Sequence, residues 1–432
     1  MNNGEVSGVK NKNKSGFNMG LNGWIVVLCS FLTTFCYTAL AGDSLNVTIS
    51  VFGAMGMNTN VLYMMSTFGT ILGVILTMVF GKVATKRKIK NCWGILVLIA
   101  CAATITWAFV HTTAMYCVVY LICFACTVTS SGFLASALMT NWFPRTRGVA
   151  IGISTVAYPL SAAITTTICA GFLQNALGIK GYYLMMGLIL LIVGILVLAV
   201  LKDNPEDKGC YPDNDKSADF EQLKREHAEA LEYQKHSKWK VGKVVKTGRF
   251  WHAVVALVMG AFTCQGIMAN FVNKFMESGY ELTEILGMLT IAGLCAIPLS
   301  IFIGWLDIKI GTKKTGVIVN SFAVLGLICL LIPSHVLNYV GLPIMAVLLG
   351  GSNNLGISVY TTIWGRYDFK NIYRVHMPIM NLMLGLGISV VGVIGTNLNY
   401  EIAYVVLLIL QVISLIAMIT LKVKPIDEDV HM

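Results

Sequence analysis

Apolar runs of about 20 residues recur along this chain of 432 residues, each long enough to cross a hydrocarbon core ~30 Å thick. They fall near 24–51, 60–81, 92–111, 114–139, 149–172, 181–201, 250–273, 283–305, 315–333, 339–363, 376–397 and 401–421. A soluble domain carries about 25% charged residues. Here the charged share is 12%, the hydrophobic share 56% and the mean hydropathy +0.73. Such a chain cannot cover itself with a water-compatible surface, which excludes a soluble enzyme, a disordered protein and a secreted disulfide scaffold. The expected fold is an all-α membrane protein with twelve transmembrane helices.

Charge position then sets orientation. Of the 31 Lys and Arg, all but Lys180 and Lys274 fall on one side of a twelve-span arrangement. The positive-inside rule places both termini and the long central segment in the cytoplasm, in a cytoplasmic (inner) membrane. The polar leader, residues 1–20, precedes a span too long for a signal-peptide core, so no cleavage is expected. Most of the twelve cysteines lie inside apolar runs and read as small core residues, including the Cys123–Cys126 CxxC in an apolar helix.

Two loop signatures repeat. FGKVATKRKIK after span 2 matches IGWLDIKIGTKK after span 8, with Gly81 and Gly304 separated by 223 residues. NWFPRTRG after span 4 matches IWGRYDFKN after span 10, with Trp142 and Trp364 separated by 222. One offset from two independent pairs predicts a duplicated six-span unit: residues 1–201, a linker over 202–247, and residues 248–432. Parallel repeats suit a carrier that rocks two bundles about a midplane site. In the linker, 217–233 favours helix. The basic stretch that follows, with Lys235, Lys238, Lys240, Lys243, Lys246 and Arg249 around Trp239, suits anionic inner-leaflet lipids or a plain solvated linker. Nucleic acid has no further support.

These features resemble the major facilitator superfamily, and within it the oxalate/formate antiporter and monocarboxylate transporter group. NGWIVVLCSF, NWFPRTRGVAIGI, VVKTGRFW, GGSNN and GRYDFKNIY carry the likeness. It implies two pseudo-symmetric six-helix bundles and transport by alternating access. It also implies gating roles for the loop residues Gly81, Gly304, Asp307, Gly311 and Lys313. Asp307 is the latch acid, with Arg366, Arg374 or Lys313 as partners, and Arg147 is the matching base in the first half. The first loop copy is degenerate, with Thr85 and Lys88 where the acid and second glycine belong.

Ionisable residues inside a membrane are functional suspects. Asp43 in span 1 is the clear acid, on a small, polar stripe with Cys36, Ala39, Asn46 and Ser50. Counted from Trp24 it lies ~28 Å along the helix, near the outer interface. Lys274, counted from His252, has comparable depth, so the two are expected to pair when the outer side is closed. Further solute contacts are sought among Tyr158, Gln265, Asn270, Asn353, Asn354, Tyr360 and Asn381, since amides and phenols in a bilayer need partners. Pro159, Pro298 and Pro378 are expected to kink spans 5, 8 and 11.

Carboxylate carriers of the resembled group use a cation within spans 1, 8 or 11. This chain has Asp43, Ser300 and Met380 there, so oxalate is disfavoured. An organic monocarboxylate held by hydroxyls and amides is expected. A neutral or cationic solute using Asp43 is the rival, and a transporter-shaped sensor is the competitor from another class. A proton on Asp43 or a counter-solute would drive the cycle. No nucleotide-binding loop, metal cluster or serine triad appears, so neither cofactor, metal nor enzyme activity is expected.

Overall fold

The computed structural model describes residues 19–84, 87–143, 147–214, 232 and 239–426. All twelve spans are present as helices. The first, α1, covers 20–54 as Gly20–Thr38, a π-helical turn Ala39–Asp43, and Leu45–Ala54. Then follow α2 (Thr59–Val83), α3 (Ile89–Trp107), α4 (Thr113–Trp142), α5 (147–173) and α6 (Gly178–Ala199). The second series is α7 (Gly248–Glu277), α8 (Leu282–Ile310), α9 (Thr312–Leu331), α10 (335–364), α11 (366–397) and α12 (Tyr400–Thr420). Eleven described helices are long and apolar enough to cross a membrane. The shorter apolar stretch His335–Leu349 begins α10, which runs on to a break at Gly365.

Two hydrophobic cores result, one built on α1–α6 and one on α7–α12. Lipid-facing side chains such as Ile75, Met78, Ile195 and Ile409 are exposed. One face of the bundle carries the linker and both described chain ends, and is called here the linker face. The opposite, far face carries the short turns. Three far-face helix starts are capped by side chains: Asn58 accepts from Val61 N, Thr112 from Met115 N and Asn399 from Ile402 N.

The degenerate loop copy has a backbone reason. Gly311, between α8 and α9, sits at φ 86°, where a side chain is strained. Its counterpart Lys88 caps α3 at φ −62° in extended geometry, so no glycine is needed. Of the expected proline kinks, α5 is interrupted at Val156 before Pro159, while α8 and α11 run helically through Pro298 and Pro378.

Both described ends of the linker are docked. Asp203 caps α3 with two 2.8 Å bonds from Ile89 N and Lys90 N. The Trp142 indole donates to Lys202 O at 2.8 Å, and Lys208 Nζ to Asn22 Oδ1 at 2.9 Å. At the other end Trp239 is buried edge-on against Trp364, with Lys243 over its ring at 4.9 Å. Trp239 is therefore a protein contact and does not face lipid. The expected helix 217–233 lies outside the described residues apart from Glu232.

The bundles meet through the far half of the molecule. Along the centre, α1 faces α7 in the register of the repeat. Asn46 Nδ2 donates to Met268 O, 222 residues on, and Ser50 Oγ to Asn273 Oδ1, 223 residues on, at 2.9 Å. Val272 N donates to Asn46 Oδ1 at 3.1 Å. On one flank α2 meets α11, where Ser389 Oγ lies 2.8 Å from Ser66 Oγ and 2.7 Å from Thr67 Oγ1. On the other flank α5 meets α8. Close approach there needs Gly293, where a Cβ would sit 2.5 Å from the Ala163 backbone.

Candidate functional site

Asp43 closes the π-helical turn of α1, a local widening often found at functional sites. Side chains from three helices hold the turn's carbonyls. Tyr120 of α4 donates to Ala41 O at 3.1 Å, Tyr182 of α6 to Ala39 O at 3.4 Å, and Thr166 of α5 to Asp43 O at 3.0 Å. The carboxylate itself accepts from Ser161 Oγ at 2.5 Å, and Ser161 Oγ lies 3.0 Å from Thr165 Oγ1. Asp43 is 6% exposed, Ser161 0% and Thr165 1%.

Gln265 of α7 fixes the depth of this site. Its amide rests on Gly42, where a Cβ would come within 2.3 Å of Nε2. Gln265 lies near the middle of α7, and α1 continues past Asp43 to Ala54. Asp43 thus lies level with the middle of α7, and α1 runs on beyond it, so the count from Trp24 alone does not fix its depth.

The expected pair of Asp43 with Lys274 is not formed, although the far side is closed. Lys274 follows Gln265 by nine residues, about 13 Å at the helical rise. Its Nζ donates to Leu330 O at 3.0 Å and lies over the Phe275 ring at 4.1 Å. It belongs to the second bundle's core.

Below Asp43, towards the linker face, hydroxyl-bearing rings follow one another. They are Tyr37 of α1, packed edge-on to Phe124 at 5.7 Å, Tyr158 of α5 and Tyr373 of α11. Tyr158, Gln265 and Tyr373 are half-buried. Tyr158 comes from the first bundle, and Gln265 and Tyr373 from the second.

The other predicted residues divide by location. Asn46 joins α1 to α7, and Asn270 joins α7 to α11 through Ile388 O at 3.3 Å. Tyr360 is fully buried in the second bundle and hydrogen-bonds His376 Nδ1 at 2.9 Å. That histidine, the first residue of the apolar run 376–397, is 2% exposed. Asn381 is half-buried on α11. Asn353 and Asn354 lie on α10, but their side chains are outside the described residues, as are those of Arg147, Arg366 and Arg374.

Among the gating residues, a Cβ at Gly81 would meet the Phe133 ring at 3.7 Å, whereas one at Gly304 would meet nothing within 4 Å among the described residues. Asp307 is half-buried, with one carboxylate oxygen lacking a hydrogen-bond partner among the described residues. Lys313 is exposed in the first turn of α9. Sequence reading passed over Tyr37, Ser161, Thr165, Tyr373 and His376. Serine and threonine in a span carry no signal by themselves, and the tyrosines needed the tertiary register.

A family model described as Major Facilitator Superfamily matches residues 133–368, more than half of the chain. The chain belongs to that superfamily. Solved major facilitator structures agree on the fold. One is a bacterial homolog of the human lysosomal transporter Spinster, inward-facing and unoccupied: TM-score 0.67, 13% identity, covering 93% of this chain and 97% of that one. Another is the nucleoside transporter NupG: TM-score 0.66, 13% identity, covering 92% of this chain and 99% of that one. No curated protein matches the sequence. Within the superfamily this chain is a multi-pass transporter that handles a small-molecule solute, rather than an enzyme.

Proposed function

We propose that the protein is a secondary active transporter that carries a small organic monocarboxylate across the cytoplasmic membrane by alternating access. The bundles 1–201 and 248–432 are the moving bodies, the linker face is cytoplasmic, and the far face is outside. The observation that carries this reading is the seam of α1 on α7. It joins the far halves of the bundles, and on its linker side stand half-buried phenols and an amide from both bundles: Tyr158, Gln265 and Tyr373. A phenol O–H and an amide N–H are donors suited to carboxylate oxygens, and no described Lys or Arg lies near the midplane to bind a dianion.

Solute counterflow in proteoliposomes tests this. Preloaded monocarboxylate should accelerate uptake of labelled monocarboxylate, and Tyr158→Phe should raise the half-saturating concentration. A second reading, a neutral or cationic solute, draws support from the buried carboxylate of Asp43. Counterflow by amines or sugars, and none by acids, selects it. Solute binding without any exchange would instead make the molecule a sensor. Cysteine labelling of residues 19 and 426 from the far side would reverse the orientation.

A further inference from the structure

Asp203 secures the start of a helix on the linker face. Its carboxylate accepts from Ile89 N and Lys90 N at 2.8 Å each, and so satisfies two first-turn donors of α3. The repeat offset of 223 carries Ile89 and Lys90 onto Thr312 and Lys313, the first two residues of α9. No described side chain accepts from the first-turn N–H groups there. That turn is also basic. Lys313 and Lys314 are exposed, and neither forms an ion pair with a described residue.

The same offset carries Asp203 onto Ile426, the last described residue. The chain that leads to Ile426 repeats the course of the first bundle. A Cβ at Gly94 of α3 would lie 2.4 Å from Leu198 of α6, and one at Gly316 of α9, 222 residues on, would lie 2.8 Å from Met418 of α12. Asn141 Nδ2 donates to Asp203 O at 3.3 Å. Ile363, 222 residues beyond Asn141, accepts through its carbonyl from Ile426 N at 2.9 Å. The chain thus reaches the position equivalent to Asp203 with an isoleucine in place of the acid. Asp427, Glu428 and Asp429 come next in the sequence.

We propose that the acidic segment 427–429 docks on the start of α9, where its carboxylates accept from the first-turn N–H groups and pair with Lys313 and Lys314. A bare helix start does not identify its occupant. Here the repeat-related start holds a carboxylate, and three carboxylates lie one to three residues past the equivalent position. The contact ties the residues after α12 to the turn that carries Gly311 and Lys313, and it stands whatever solute is carried.

Hydrogen exchange at single amides tests the docking, on the purified full-length protein in phosphatidylcholine nanodiscs. The triple variant Asp427→Asn, Glu428→Gln, Asp429→Asn should speed exchange at Thr312 and Lys313 about fivefold, the scale of one lost cap. Ile89 and Lys90 should not change. Asp203→Asn should do the reverse. Carbodiimide, which condenses a carboxylate with an adjacent amine, should link 427–429 to Lys313 or Lys314 within one chain, as read by peptide mass spectrometry. Unchanged exchange at Thr312 and Lys313 in the triple variant would overturn the proposal. So would links that run only between chains or only to other lysines. Exchange that follows the phosphatidylglycerol content of the nanodisc in wild type and triple variant alike would give the site to lipid headgroups and overturn it as well.

Discussion

The two flanks of the far-face seal occupy equivalent places about the pseudo-twofold axis but are built from different material. The repeat offset maps Thr70 onto Gly293 and Ala163 onto Gly385, so the contact of Gly385 with Thr70 and that of Gly293 with Ala163 are one contact seen twice. Around the first, α2 and α11 are knitted by polar bonds. Ser66, Thr67 and the Tyr63 carbonyl converge on Ser389, and Asn60 meets Thr396 and Asn397 nearer the turn. Around the second, α5 and α8 share a long Thr167–Thr290 contact of 3.4 Å. Interhelical hydrogen bonds inside a bilayer average ~0.6 kcal/mol, so several together give the α2–α11 flank an advantage of a few kcal/mol. Opening of the far side should therefore begin by parting α5 from α8, with α2–α11 the last to separate.

The largest effects should come from filling the two glycine contacts. A Cβ at Gly385 would lie 2.3 Å from Thr70 Oγ1 and 2.7 Å from Ser66 O, and one at Gly293 would overlap Ala163 at 2.5 Å. Overpacking costs about 1–3 kcal/mol, enough to move a closed–open equilibrium ~5- to 150-fold. Both Gly385→Val and Gly293→Val should raise maleimide labelling of a cysteine placed at Ser50 from the far face. Unchanged labelling in both would mean that these contacts do not hold the seal.

Removing polar bonds separates the flanks. Ser389→Ala deletes contacts at 2.8 and 2.7 Å to two hydroxyls and a 2.7 Å bond to the Tyr63 carbonyl. Three bonds at the membrane average predict a loss of about 2 kcal/mol and far-face labelling raised ~10- to 30-fold. A rise below twofold would show that the hydroxyl cluster does not clamp α2 to α11.

How much of this was legible in the sequence depends on which ruler was used. The span count, the duplication and the superfamily follow from hydropathy and from two loop pairs. The same offset already contains the register of the seal, since Asn46–Met268 and Ser50–Asn273 are repeat-related residues facing each other. Depth measured instead from Trp24 and His252 set Asp43 level with Lys274, whereas the offset sets it level with Gln265, as the structure does. A helix that runs on past the site has no fixed point at its first tryptophan. The partners of Asp43 were not legible for a different reason. Ser161 and Thr165 matter only because α5 crosses α1 at the π-helical turn, and no local pattern announces a crossing. Likewise His376 reads as a span-end residue until the break at Gly365 folds α11 back and buries it against Tyr360.

The smallest predicted effect is the sharpest check on the comparison. Thr290→Val keeps the shape of the side chain and removes the hydroxyl that lies 3.4 Å from Thr167 Oγ1. A contact that long is at the outer limit for two hydroxyls, whose usual separation is about 2.7–2.8 Å, and Thr290 Oγ1 already bonds Leu286 O within its own helix at 2.9 Å. Little interhelical energy is therefore at stake, and far-face labelling should change less than about twofold against the order of magnitude expected for Ser389→Ala. The double variant should match Ser389→Ala alone, because the sites sit on opposite flanks and share no partner. If Thr290→Val opened the far face as strongly as Ser389→Ala, the flanks would be equal in strength. The pseudo-twofold would then govern energy as well as geometry, and opening would have no preferred side.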